Sequence, residues 1–177
     1  YCTAFIYCAV VFSLYAAYVK QFRAFWQAAF RPALTALATC SSAATLPVNL
    51  QAAEQLHIRQ EQYEMVLPLG TMIHKQGSIL GGVLKIAFLF AVYGLNFYTL
   101  PTLGLTLIVA ILVGTIMGAI PSGGMTGEML ILAAFGFPPP ALILIAVISL
   151  LIDPPATVLN ALGNLIASLL MDRNPAT

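Results

Sequence analysis

Charge is what this sequence has least of. Only 7% of its 177 residues are Asp, Glu, Lys or Arg, while 60% are hydrophobic. A soluble domain carries about a quarter charged residues and under half apolar. That balance excludes a water-soluble enzyme, a nucleic-acid binder and a disordered tail. Seven Lys+Arg stand against six Asp+Glu, a net charge of +1, and no basic run suits nucleic acid or an anionic lipid surface. Cysteine is sparse too. Cys2, Cys8 and Cys40 are scattered, with neither metal-ligand spacing nor disulfide logic. No Ser-His-Asp, Cys-His or paired-carboxylate arrangement is present, so the chain reads as no enzyme. The bilayer is the natural solvent for what remains.

The few charges cut the chain into apolar blocks. Residues 1–19 carry no formal charge, and Lys20 and Arg23 follow. A span needs about 20 apolar residues, so Tyr1–Tyr18 reads as one span or the tail of one. There is no initiator Met and no signal peptide, which reads as a fragment of a longer protein. Phe25–Thr39 is apolar and helical until Cys40-Ser41-Ser42 interrupts it, and Ala43–Ala53 then resumes with Pro47 early in the second arm. Each arm is too short to cross alone. Two half-length helices meeting at a Ser-rich tip predict a re-entrant hairpin. A third block, Met65 to about Tyr93, contains His74-Lys75-Gln76-Gly77-Ser78, five small or polar residues that predict a helix broken near mid-membrane. Leu105–Met117, the tip Gly118 to Gly124, and Met125–Phe135 repeat the hairpin plan. Pro138-Pro139-Pro140 starts a last helix, Ala141–Leu170, with Asp153-Pro154-Pro155 inside it. Interrupted segments in corresponding places point to a transporter binding site built on internal repeats.

Lys75, Lys85, Glu128 and Asp153 fall inside apolar blocks. Each costs at least ~2.5–3.5 kcal/mol on insertion scales, so such residues face a bundle interior. Asp153 reads either as a ligand for a substrate amine or cation, or as part of a helix-packing stripe with Thr157, Asn160 and Asn164 at +4, +7 and +11. Lys75 is either a fixed positive charge in a cavity or the partner of Asp153 or Glu128. Lys85 pairs or snorkels. Glu128 is a proton carrier or one half of a structural pair. Ser41 and Ser42 offer hydroxyls at a helix start, where exposed N–H groups attract a carboxylate and where simple N-capping is equally at home. His74 is a proton relay or merely hydrogen-bonded.

Several motifs, spread over nearly the whole chain, resemble one family. Ser41-Ser42-Ala43-Ala44-Thr45-Leu46-Pro47 is similar to the first hairpin tip of the dicarboxylate/amino acid:cation symporter family, the glutamate transporter family. Leu67-Pro68-Leu69-Gly70 before a polar break resembles its L-P-L-G-A-T-x-N-M-D-G-T segment. Ile120-Pro121-Ser122-Gly123-Gly124 looks like its second tip, V-P-G-A-G, and Gly136-Phe137-Pro138 like the G-L-P that follows. Asp153, Thr157, Asn160 and Asn164 fall on its D-x-x-R-T-x-x-N-x-x-x-D pattern.

The resemblance implies an all-α, glutamate-transporter-like core. Residues 1–22 would be a transmembrane helix, 23–58 re-entrant hairpin 1, 61–98 a broken transmembrane helix 7, 101–137 re-entrant hairpin 2 and 139–172 transmembrane helix 8. The scaffold would lie N-terminal to residue 1. It implies a secondary active transporter working by an elevator mechanism. Such a protein would be a multi-pass protein of the cell membrane, of the inner membrane if bacterial, and a homotrimer through the missing scaffold. Its partners would be a small amino or organic acid and membrane lipid, with no nucleic acid. By family role, Ser41 and Ser42 hold the substrate carboxylate, and Asp153 binds the amine. Ser78, Thr157 and Asn160 complete the pocket, and Ile120, Pro121 and Gly124 belong to the closing gate. Gly70, His74, Lys75, Gln76, Asn160 and Asn164 fall on the family's cation-site positions.

The departures matter as much. The family's N-M-D-G-T reads His74-Lys75-Gln76-Gly77-Ser78, so His and Gln replace sodium ligands. Its last-helix Asp is Asn164, its last-helix Arg is Ala156, and the proton-accepting Glu of animal glutamate carriers falls on Gly82. Without the Arg, a side-chain carboxylate loses its bidentate partner. Fewer anionic ligands weaken a hard-cation site. No cofactor is expected, and the coupling ion, sodium or proton, stays open. The other reading is a non-transporting or sensor-like member that keeps the fold.

Overall fold

A computed structural model describes residues 2–119 and 123–172. All secondary structure among them is helical: α1 (Cys2–Tyr7), α2 (Ser13–Tyr18), α3 (Phe22–Thr39), α4 (Ser42–Gln55), α5 (Gln60–Ile73), α6 (Gln76–Val92), α7 (Leu100–Ala119), α8 (Gly123–Phe135) and α9 (Ala141–Met171). A π-helical turn, Cys8–Phe12, joins α1 to α2, so the first expected span is one helical stretch with a widened middle. The chain forms two compact units. Residues 1–74 with 154–177 make the first, and 75–153 the second. The division falls inside the expected helix 7 and helix 8 segments rather than at their ends.

In the first unit α3 packs on α4, and α4 on α5. Cys40 closes α3 in the left-handed region at φ 50°, a conformation uncommon outside glycine. That reversal lets α4 start two residues later and fold back on α3. Apolar and small side chains, among them Phe25, Ala28, Ala29, Ala52 and Ala53, fill this unit's interior. In the second unit α6, α7 and α8 pack in sequence. The α6–α7 crossing is tight. A Cβ added at Gly82 would lie 3.3 Å from the Ala110 backbone, and one at Gly114 3.4 Å from the backbone nitrogen of Ile79. Small residues at such crossings let helix backbones approach, which is how helices associate where lipid removes the hydrophobic drive. Ile86, Leu89, Phe90, Val109, Val113, Ile131 and Ile145 form this unit's core. Phe90 stacks edge-on against Phe97, Phe135 and Phe137 at its end.

The expected five-residue break in the third block is shorter in the structure. Only His74 and Lys75 leave the helix, and Gln76, Gly77 and Ser78 already form the first turn of α6. Small and polar residues suit a first turn, whose N–H groups lack intrahelical acceptors. The last helix runs unbroken through Pro154 and Pro155. Among the described residues, three stretches are long and apolar enough to cross a membrane: Gln60–Val92 taken across its break, Leu100–Gly118 and Ala141–Met171. Leu107 and Ile108 on α7 are 59% and 60% exposed, a face suited to lipid.

Candidate functional site

In the first unit, the tip between α3 and α4 is built by hydrogen bonds from its own side chains. Ser41 is the N-cap of α4, and its Oγ accepts from the Ala44 N–H at 3.2 Å. Thr39 Oγ1 accepts from the Ser41 N–H at 3.3 Å, and Thr45 Oγ1 donates to the Ser41 carbonyl at 2.8 Å. Ser42 opens α4, half-buried. The capping role of Ser41 is therefore present, and the remaining amides of that first turn point along the helix dipole.

The last helix lays a polar stripe along this unit. Thr157, Asn160, Asn164 and Ser168 are all buried. Asn164 Nδ2 donates to the Leu67 carbonyl at 2.8 Å and lies 3.5 Å from Thr71 Oγ1, tying α9 to α5. Asn49 Nδ2 on α4 donates to the Ala161 carbonyl at 3.0 Å. Asn164 also lies against Gly70, where an added Cβ would collide with its side chain. Two of the expected cation-site positions, Gly70 and Asn164, are thus in contact. The backbone N–H of a third, His74, bonds to the Gly70 carbonyl at 2.8 Å. Asp172 caps the start of α5, accepting the Arg59 N–H at 2.9 Å and Nε at 2.7 Å. A groove of about 430 Å³ in this unit, lined by Lys20, Arg23 and His57, involves none of the expected site residues.

The second unit contains a cluster that spacing could not foretell. Lys85 Nζ on α6 lies 3.5 Å from Glu128 Oε1 on α8 and 3.3 Å from Asp153 Oδ1 on α9. The Ser149 hydroxyl, one turn before Asp153, donates to Glu128 Oε1. Lys85 is 2% exposed and Glu128 8%, whereas the Asp153 side chain keeps 35% of its surface. Of the two roles open to Lys85 and Glu128, the structural pair is present. Lys85, not Lys75, is the lysine that holds these carboxylates. Lys75 is buried at the N-cap of α6, and none of the ion pairs among the described residues involves it. Gln76 and Ser78 lie in the first turn of α6, within this unit. Gly124 lies in the first turn of α8, while Ile120 and Pro121 fall outside the described residues. Ser149 was missed by sequence reasoning, since a single serine in an apolar helix gives no signal.

Long apolar helices, polar stripes and buried ion pairs within them define a multi-pass membrane protein. The family model of the sodium:dicarboxylate symporters matches residues 1–174, and the chain belongs to that family. It is similar to an excitatory amino acid transporter of Caenorhabditis elegans, 32% identical over 143 residues, covering 79% of this chain and 28% of the relative. Human excitatory amino acid transporter 2 is 33% identical over 143 residues, covering 79% of this chain and 24% of its own length. Human excitatory amino acid transporter 5 is 31% identical over 141 residues, 78% of this chain and 25% of the relative. The chain thus spans about a quarter of the length of these relatives.

The sodium that the family's description implies finds a poor donor set here. Asn164 Oδ1 is buried without a hydrogen-bond partner, which is one oxygen in its favour. Among the described residues, the hydrogen-bond partners of Asn164 are the Leu67 carbonyl and Thr71 Oγ1, neither of them a carboxylate. Asp172, on the same unit, is engaged by Arg59. Among the described residues no group of three His, Cys, Asp or Glu is placed to hold a metal. Neutral oxygens alone give a dehydrated cation no countercharge. These residues do not fit a carboxylate-ligated sodium ion.

Proposed function

We propose that the chain is the transport core of a secondary active transporter that moves a small amino acid or organic acid across the membrane. The observation that carries this reading is the Ser41-capped reversal between α3 and α4, a half-helix N-terminus in a chain of almost purely apolar helices. Both helical pairs, α3–α4 and α7–α8, act as re-entrant hairpins, and the core moves as an elevator against a trimeric scaffold. Ser41 and Ser42 hold the substrate carboxylate by hydroxyl and first-turn amides. Asp153 receives the amine, exchanging part of its bond to Lys85 for it, and Ser78, Thr157 and Asn160 complete the pocket. Ile120, Pro121 and Gly124 form the gate.

Selectivity favours neutral substrates. Ala156 is buried and offers no donor where a side-chain carboxylate would need one. Sodium does not drive transport through the Gly70, His74, Gln76, Asn160 and Asn164 positions. Protons or plain exchange take its place. Uptake of radiolabelled amino acids into proteoliposomes tests this reading. Neutral amino acids are expected to enter and to compete with one another, and Asp153→Ala is expected to abolish their entry. Uptake of aspartate or glutamate alone would overturn the assignment of Ala156.

A further inference from the structure

Burying a carboxylate within a membrane helix is expensive unless its partners satisfy it. Glu128 is 8% exposed and shares the Lys85 ammonium with Asp153. The Lys85 ammonium stands 3.5 Å away, beyond the roughly 2.7–2.9 Å of a well-formed ammonium–carboxylate hydrogen bond. Asp153, 3.3 Å from the same ammonium, is likewise beyond that range. Glu128 therefore shares a cation that has another carboxylate to go to.

Ser149 makes both protonation states of Glu128 feasible. When Glu128 is ionised, the Ser149 hydroxyl donates to its Oε1. When Glu128 is protonated, its own O–H donates to Ser149 Oγ. The serine proton then turns to the Ile145 carbonyl, already 2.8 Å away one helical turn earlier. Glu128 and Ser149 each keep a hydrogen-bond partner in either state. The charged surroundings are few. From α6 come Lys85 and, ten residues or about 15 Å earlier at the helix start, Lys75. α7 brings none, α8 only Glu128 itself, and α9 Asp153.

We infer that Glu128 is a proton-binding site, at which a proton taken up from water forms the O–H bond of a neutral acid and releases the shared Lys85 to Asp153. The two states differ mechanically. Ionised Glu128 ties α8, the second arm of the α7–α8 pair, to α6 and α9 at once. Protonated Glu128 leaves Lys85 bridging α6 and α9 only, and Ser149 is then the polar partner left to Glu128. This deepens the transport reading by naming where a driving proton would sit, and as a coupling site it rests on that reading.

The test reads the proton directly. pH-difference infrared spectra of the complete protein in nanodiscs should show a protonated-carboxyl band that Glu128→Gln removes and that Asp153→Asn moves to lower pH, because Lys85 then has no other carboxylate to go to. Ser149→Ala should retain the band at a changed frequency, because the acid loses its acceptor. Ser149→Ala also provides the reading should the Gln variant not fold. A band that survives Glu128→Gln, keeps its pH dependence in Asp153→Asn, or ignores Ser149→Ala would overturn the assignment. If the band behaves as expected while no amino acid enters proteoliposomes, the proton site stands and the transport reading falls. If uptake occurs and the band is missing, the reverse holds.

Discussion

Gly70→Ala separates the packing described for the first unit from an ordinary helix substitution. Replacing a mid-helix glycine by alanine normally stabilises by up to about 1 kcal/mol, through backbone entropy. Gly70 sits in α5 with the Asn164 side chain pressed against its Cα, so the new methyl collides with that amide. Overpacking of this kind costs about 1–3 kcal/mol. Moving Asn164 aside also breaks its 2.8 Å bond to the Leu67 carbonyl. Buried groups left unpaired cost about 1–3 kcal/mol more. The net expectation is a loss of roughly 1–5 kcal/mol, opposite in sign to the intrinsic effect. Thermal unfolding in detergent checks it, and the same substitution in an Asn164→Ala background isolates the contact. There Gly70→Ala should be neutral or stabilising. An equal cost in both backgrounds would refute the Gly70–Asn164 contact.

Further consequences follow from single contacts. Lys85→Met strands Glu128 and Asp153 and should cost about 3–5 kcal/mol, the usual penalty for breaking a buried pair. Lys85→Met with Glu128→Gln should be less damaging than Lys85→Met alone, and chemical denaturation in mild detergent can rank the two. Asp172→Ala removes an acceptor from the α5 start and should cost about 1–2 kcal/mol, whereas Arg59→Ala, at a side chain 55% exposed, should cost under about 1 kcal/mol. The reverse order would mean that the ion pair, not the cap, matters. A thermal-shift screen should show stabilisation by neutral amino acids. Strong stabilisation by glutamate alone would point to Lys75 as a side-chain carboxylate partner.

How much of this was legible depends on whether the physics is local. The Cys40-Ser41-Ser42 interruption was readable because capping serines announce a helix start within four residues of chain. The α9 stripe was readable because Asp153, Thr157, Asn160 and Asn164 obey one helical period. The two-residue length of the α5–α6 break was not, since Gln76-Gly77-Ser78 suits a first turn as well as a loop. The π-helical turn at Cys8–Phe12 has no residue signature. The Lys85 cluster escaped for a different reason. Its partners lie 43 and 68 residues away, and nothing in periodicity selects Lys85 over Lys75. Gly82 is the converse case. The resemblance sets a Glu of animal glutamate carriers at this position, and the 3.3 Å approach to Ala110 leaves little room for a side chain.

Sodium dependence tests the central claim most directly. The positions Gly70, His74, Gln76, Asn160 and Asn164 carry no carboxylate, and Lys75 places a buried ammonium among them in the sequence. Were that ammonium within about 5 Å of a sodium ion, it would repel the ion by a few kcal/mol at an effective dielectric near 20. At ~1.4 kcal/mol per tenfold in affinity, such a repulsion would empty a sodium site at ordinary concentrations. The measurement is uptake of a neutral amino acid into proteoliposomes at fixed membrane potential and pH, with and without a sodium gradient. The account predicts uptake that is indifferent to sodium in the natural protein and partly sodium-dependent in Lys75→Met with Gln76→Asp. Uptake by the natural protein that rises steeply with sodium would contradict it.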